Sequence, residues 1–174
     1  MSATVIEGGQ SAETFSFAVV VSRYHEFVTS KLEAGALAAL SAAGSPPESV
    51  TIVRVPGAYE IPIAAQHAAE SGAFNAVVCL GCLIKGETPH FDYIASAVSH
   101  GLTDAAAATG VPMAFGVLTT NSVEEALARA IDGPGNKGWE AAAAAIEMAS
   151  VVAQLTGRSG GGGAPRASEK RPAP

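Results

Sequence analysis

One histidine, His90, stands where a proton-transfer group could meet an anion. It follows the short loop Lys85-Gly86-Glu87-Thr88-Pro89, which leaves an unbroken apolar run, Ala76 to Leu83. That run reads as a strand buried on both faces. Thr88 and Pro89 read as a helix start, with Thr88 as N-cap and Pro89 in the first helical position. Free amides at a helix N-terminus attract anions, phosphate above all. An imidazole beside them can give or take a proton near neutrality. The same stretch also reads as an ordinary strand-to-helix turn carrying a surface histidine.

Other chemistry-bearing patterns point nowhere. Cys79 and Cys82 make a C-x-x-C, but both fall in the apolar strand, where three residues span ~10 Å. A disulfide needs Cα atoms within ~7 Å, so the pair reads as buried thiols. His25, His67, His90 and His100 show no metal-ligand spacing among themselves or with the cysteines. The chain contains no dinucleotide-binding, P-loop or nucleophile-elbow motif. His67 reads as a surface residue in mid-helix.

Strands and helices must position these loops, and they alternate along the chain. Phe15 to Val21, Val50 to Val55, Ala76 to Leu83 and Val111 to Leu118 read as strands. Helices are expected to about Ala43, over Ile61 to Glu70, from the Thr88 start to about Thr109, and from about Trp139 to Leu155. Ser30 and Glu33 have capping-box spacing in the first helix, although that helix could begin earlier. Ser122 and Glu125 have the same spacing and open a short helix to Ala130. Arg54 suggests that the second strand lies at a sheet edge. Such alternation implies an α/β fold, a parallel sheet in a three-layer α/β/α sandwich. With a flavodoxin-like strand order 2-1-3-4, the ligand crevice opens between strands one and three. The loops there hold Tyr24 with His25, and Gly86 to His90. Tyr59 and Glu60 open on the same edge.

Composition bounds the rest. Of 174 residues, 48% are apolar, enough for one domain with a real core. The net charge is −6, and the four basic residues after Thr156 against Glu169 put +3 in the tail, leaving −9 on the body. An acidic body argues against a nucleic-acid surface. Residues 1–13 read as a flexible arm, loose or lent to a partner. Residues 14–156 read as the domain, and 157–174, rich in glycine and proline, as a disordered tail. Met1 to Gln10 lacks the features of a signal peptide. No apolar run approaches the roughly 20 residues that span a bilayer. The expectation is a soluble, cytoplasmic protein that binds no membrane.

Taken together, the loops resemble those of the lumazine synthase family, which acts in riboflavin biosynthesis. The resemblance rests on Val55-Pro56-Gly57-Ala58-Tyr59-Glu60-Ile61-Pro62, Lys85 to Tyr93, Phe115-Gly116-Val117-Leu118-Thr119-Thr120 and Gly135-Asn136-Lys137-Gly138. It covers about Phe17 to Leu155. The family condenses 5-amino-6-(ribitylamino)uracil with 3,4-dihydroxy-2-butanone 4-phosphate to 6,7-dimethyl-8-ribityllumazine, releasing phosphate and water, without metal or organic cofactor. The resemblance implies that His90 transfers protons and that Tyr24 stacks on the pyrimidine. Ala58, Tyr59 and Glu60 would hold that substrate, with Cys82, Leu83 and Ile84 lining its pocket. Gly86, Glu87 and Thr88 would bind phosphate. Phe115 and Arg129 would reach in from a neighbouring subunit, Arg129 to the phosphate. His25 and Lys137 are further candidates. Tyr24 replaces the family's usual Phe or Trp, His25 its frequent Asn, and Lys85 a common Arg. The Ile131 to Gly138 turn carries no insertion, which implies pentamers and a shell of twelve pentamers. Riboflavin synthase is a candidate partner. Two other readings of the same fold are an archaeal-type riboflavin synthase and a catalytically silent shell or flavin-binding protein.

Overall fold

The structure, a computed structural model, describes residues 3–157; the expected tail lies outside the described residues beyond Gly157. Four strands, β1 (Phe17–Ser22), β2 (Val50–Val55), β3 (Ala76–Ile84) and β4 (Met113–Thr120), form one sheet of order β2-β1-β3-β4. All pairs are parallel, with Phe17 of β1 beside Val50 of β2 and Ala76 of β3. The helices are α1 (Glu26–Ala42), α2 (Ile61–Glu70), α3 (His90–Thr109), α4 (Val123–Ala128) and α5 (Lys137–Thr156).

Alternation along the central strands divides the core in two. Phe17, Val19, Val21, Val78 and Leu80 pack with Leu32 of α1 and Ile146 of α5. Ala18, Val20, Val77 and Cys79 pack with Ile61 of α2 and Val98 of α3. This is the expected three-layer sandwich, with the crevice where the strand order reverses.

Several boundaries differ from the sequence reading. β1 starts at Phe17 because the Ser16 amide donates to the Asn75 side chain at 2.8 Å. β4 starts at Met113, after Pro112, which has no N–H to give a ladder. Helix α1 begins at Glu26, and Ser30 and Glu33 form no cap. Instead Glu33 accepts two hydrogen bonds from Arg54 of edge strand β2, at 2.6 and 2.8 Å. α3 begins at His90 with Pro89 at its cap and no side-chain cap, so Thr88 does not serve as one. α4 ends at Ala128 rather than Ala130. α5 starts two residues earlier than expected, because Asn136 caps it by accepting from the amides of Gly138 and Trp139. The segment before β1 has neither helix nor strand, yet it lies along α5. The Gly9 amide donates to Ser150 Oγ at 2.9 Å, Gln154 Nε2 donates to the Glu7 carbonyl at 2.7 Å, and Ala12 is buried.

Candidate functional site

Three loops leave the C-terminal ends of β1, β2 and β3 and enclose a crevice of about 740 Å³. That volume suits small-molecule substrates. From β1 come Tyr24 and His25, and from the turn after β2 come Gly57, Ala58, Tyr59 and Glu60. The end of β3 and the start of α3 supply Cys82, Leu83, Ile84, Gly86, Thr88 and His90. Eleven of the fifteen residues singled out from sequence therefore line one crevice. Glu87 is exposed on the loop between Gly86 and Thr88 and does not line it.

Each wall has a local cause. The β1 loop is pinned by the Arg23 amide donating to the Val55 carbonyl at 2.8 Å and the Tyr24 amide to the Pro56 carbonyl at 3.1 Å. Tyr24 then projects into solvent, 66% exposed, as a ring with an open face. His25 turns the chain into α1 in a left-handed conformation, φ 59°. Glu60 ends a single 3₁₀ turn, Ala58–Glu60, where its carboxylate accepts from the Gly57 amide at 2.9 Å. Its remaining acceptor capacity is available to ligand hydroxyls. Gly86 has open space where a side chain would stand, so the backbone there is accessible. His90 is exposed on the first turn of α3.

Both thiols are buried inside β3. Burial raises the Cys79 thiol strongly and pushes Cys82 up to about 11, so neither is a thiolate nucleophile at neutral pH. Among the described residues no group of three or more His, Cys, Asp or Glu side chains gathers as a metal would require. No helix among them is long and apolar enough to cross a membrane.

Phe115, Arg129 and Lys137 stand elsewhere. They line a separate cleft of about 370 Å³ along edge strand β4, with Thr119 and Glu140. The Arg129 guanidinium donates to the Glu125 carbonyl at 3.0 Å, and Lys137 Nζ pairs with the Glu140 carboxylate at 2.6 Å. The cleft thus holds two cations and an exposed aromatic, Phe115, at the sheet edge remote from β1.

Sequence reasoning gave no site role to Gly57, Phe91, Tyr93, Ile94 or Val123, which complete the crevice wall. The i, i+3, i+4 spacing of His90, Tyr93 and Ile94 could have shown that they share a face of α3. Val123, at the start of α4 and distant in sequence, left no such signal.

A family model described as 6,7-dimethyl-8-ribityllumazine synthase matches residues 14–153. The chain belongs to that family. It is 47% identical over 152 residues to the 6,7-dimethyl-8-ribityllumazine synthase of Syntrophus aciditrophicus (strain SB), covering 87% of this chain and 99% of the relative. It is 43% identical over 151 residues to the protein of the same name from Desulfatibacillum aliphaticivorans, covering 87% and 97%. The family match takes in both the crevice and the β4 cleft, so the two are parts of one family domain.

Proposed function

We propose that the protein is a 6,7-dimethyl-8-ribityllumazine synthase, joining 5-amino-6-(ribitylamino)uracil to 3,4-dihydroxy-2-butanone 4-phosphate with loss of phosphate and water. The observation that carries this reading is the lining of the crevice. An exposed aromatic face, a carboxylate, an open backbone at the start of α3 and His90 all border one space. Tyr24 stacks on the pyrimidine, and Ala58, Tyr59 and Glu60 hold it, Glu60 accepting from ribityl hydroxyls. Cys82, Leu83 and Ile84 form the pocket floor. Gly86 and Thr88, with Glu87 between them, offer amides to the phosphate, as oriented donors do for a leaving anion.

The chemistry asks for proton movement and placement. The amine of the pyrimidine attacks the ketone, a first water leaves as the imine forms, phosphate is eliminated, and the ribitylamino nitrogen closes the ring on the remaining carbonyl with loss of a second water. His90 shuttles protons between these steps, which an imidazole can do in both directions. Holding both substrates in one crevice supplies much of the rest.

The β4 cleft has a role only if subunits share sites. Phe115, Arg129 and Lys137 then complete the crevice of a neighbour, with Arg129 on the phosphate. A head-to-tail contact of this kind closes into a ring, here a pentamer, and twelve pentamers form the shell. The lumazine product passes to an enzyme of riboflavin synthase type in the cytoplasm.

The test mixes His90→Ala and Arg129→Ala proteins, each nearly inactive alone, after joint dissociation and reassembly. Shared sites restore activity to about a quarter of wild type under random mixing. Mixed oligomers without recovery would place the whole site in one chain or remove Arg129 from it. Wild-type protein that forms no lumazine from the two substrates would remove the reaction itself. Mass photometry showing only free pentamers, with and without phosphate, would remove the shell.

A further inference from the structure

His25 is the one non-glycine residue with positive φ among the described residues, at φ 59° and ψ 45°. Such a conformation is uncommon outside glycine and persists where the surroundings over-determine it. Here they do. The preceding amides of Arg23 and Tyr24 are tied to β2 carbonyls, and the His25 carbonyl accepts from Val28 and Thr29 at 2.8 and 3.0 Å in the first turn of α1. The turn delivers the imidazole between two rings. It lies edge-on to Tyr24 with centroids 4.5 Å apart and an interplanar angle of 62°, and edge-on to Phe27 at 5.8 Å and 87°. Tyr24 is otherwise exposed, so this contact is its aromatic support.

We propose that His25 is a positioning residue that sets the tilt of the Tyr24 ring on which the pyrimidine stacks. The inference rests on the reaction proposed above. An edge-to-face pair prefers a definite geometry, and a ring held at the right tilt need not be ordered when the substrate arrives. Because the carbonyl of His25 also starts α1, its backbone is held on both sides and does not drift with the loop.

A pH dependence follows from the same geometry. His25 is half-buried beside the Tyr24 and Phe27 rings, and desolvation holds its pKa below 6.5. The ionisable groups around the crevice are Tyr24 from the β1 loop, Tyr59 and Glu60 from the turn after β2, Cys82 from β3, and His90 and Tyr93 from α3; Arg23 and Glu26 lie near His25 in the chain. The ring is therefore neutral at pH 7. A pyrimidine stacked on Tyr24 buries it further and lowers its pKa again. Binding thus favours the neutral form and weakens as pH falls through the free-protein pKa, by up to about tenfold per pH unit for one proton.

The experiment measures kcat and KM for the pyrimidine substrate from pH 5.5 to 8 in wild type, His25→Asn and His25→Gly. Both replacements accept the left-handed backbone and remove the ring. The same substitutions are repeated with Tyr24→Leu to close a double-mutant cycle. Loss of ring support is expected to raise KM about three- to tenfold, with a smaller change in kcat. The acid limb of kcat/KM that begins below pH 6.5 should shrink in both variants. In the Tyr24→Leu background, removing His25 should change KM little. Equal KM increases with and without Tyr24, or an unchanged acid limb, would overturn the proposal while the reaction stands. Should His25→Asn fail to assemble, His25→Gly carries the same comparison. Absence of lumazine formation by wild type would instead remove the underlying reaction.

Discussion

Replacing Asn136 by alanine tests how the turn bearing the basic residues is held. Asn136 is 2% exposed, and its side chain uses both ends. Its oxygen accepts from the Gly138 amide at 2.7 Å and the Trp139 amide at 3.4 Å, capping α5. Its nitrogen donates to the carbonyls of Lys31 at 3.0 Å and Ile131 at 2.9 Å. Gly35 of α1 faces this side chain, and a Cβ there would collide with it. Loss of the cap costs about 1 kcal/mol, and two donated hydrogen bonds add about 1 kcal/mol each. The expected total is about 3 kcal/mol, or roughly 6–12 °C in Tm for a chain of this size. Asn136→Asp separates the two contributions. As a cap, aspartate equals asparagine, but its second oxygen would face two carbonyl oxygens. Thermal melts at matched protein concentration should therefore show both variants destabilised. An aspartate variant as stable as wild type, with the alanine variant down by only about 1 kcal/mol, would refute the argument that the donated bonds tie α1 to this turn.

Three further outcomes follow from the described geometry. His90→Ala should lower kcat by about 10²–10⁴ while calorimetry shows the pyrimidine still bound; lost binding with normal turnover of bound substrate would remove the proton-transfer role. Arg54→Ala should cost about 1–3 kcal/mol in denaturant melts, because it strands the nearly buried Glu33 carboxylate. Glu33→Gln should cost less, since Arg54 is half exposed; the reverse order would contradict this. Native protein should resist thiol alkylation at pH 7 and react after unfolding. Because Cys82 is raised from 9.0 to about 11, the unfolded chain loses its thiol proton first, and stability should fall as pH rises from about 9 towards 11. Rapid native alkylation at neutral pH would argue against burial of both thiols.

The parts of the fold legible in sequence were those written in apolar periodicity and chain-breaking residues. The β3 run read as a strand buried on both faces, Arg54 suggested β2 as an edge, and α3 stops at Gly110 in a left-handed turn, φ 69°. Cap signals were less secure because Ser, Thr and Glu have other uses for their oxygens. Glu33 was drawn to Arg54, 21 residues away, and α1 instead starts from the strained turn at His25. Ser122 does cap α4 by accepting from Glu125, but the Glu125 carboxylate reaches to the Asn121 amide rather than back to the cap. The crevice was legible because strand order fixes which loops meet. The separate position of Phe115, Arg129 and Lys137 follows from the same order, since β4 is the edge strand and pairs with no strand but β3.

The docking of the leading segment on α5 has a practical corollary for protein engineering. Glu7 meets Gln154 and Gly9 meets Ser150, so the described ends of the chain run side by side at one corner of the domain. A short glycine linker could join them, and new ends could be opened at Gly133, which stands in open space on an exposed turn. Such a circular permutant would keep every strand neighbour and both halves of the core.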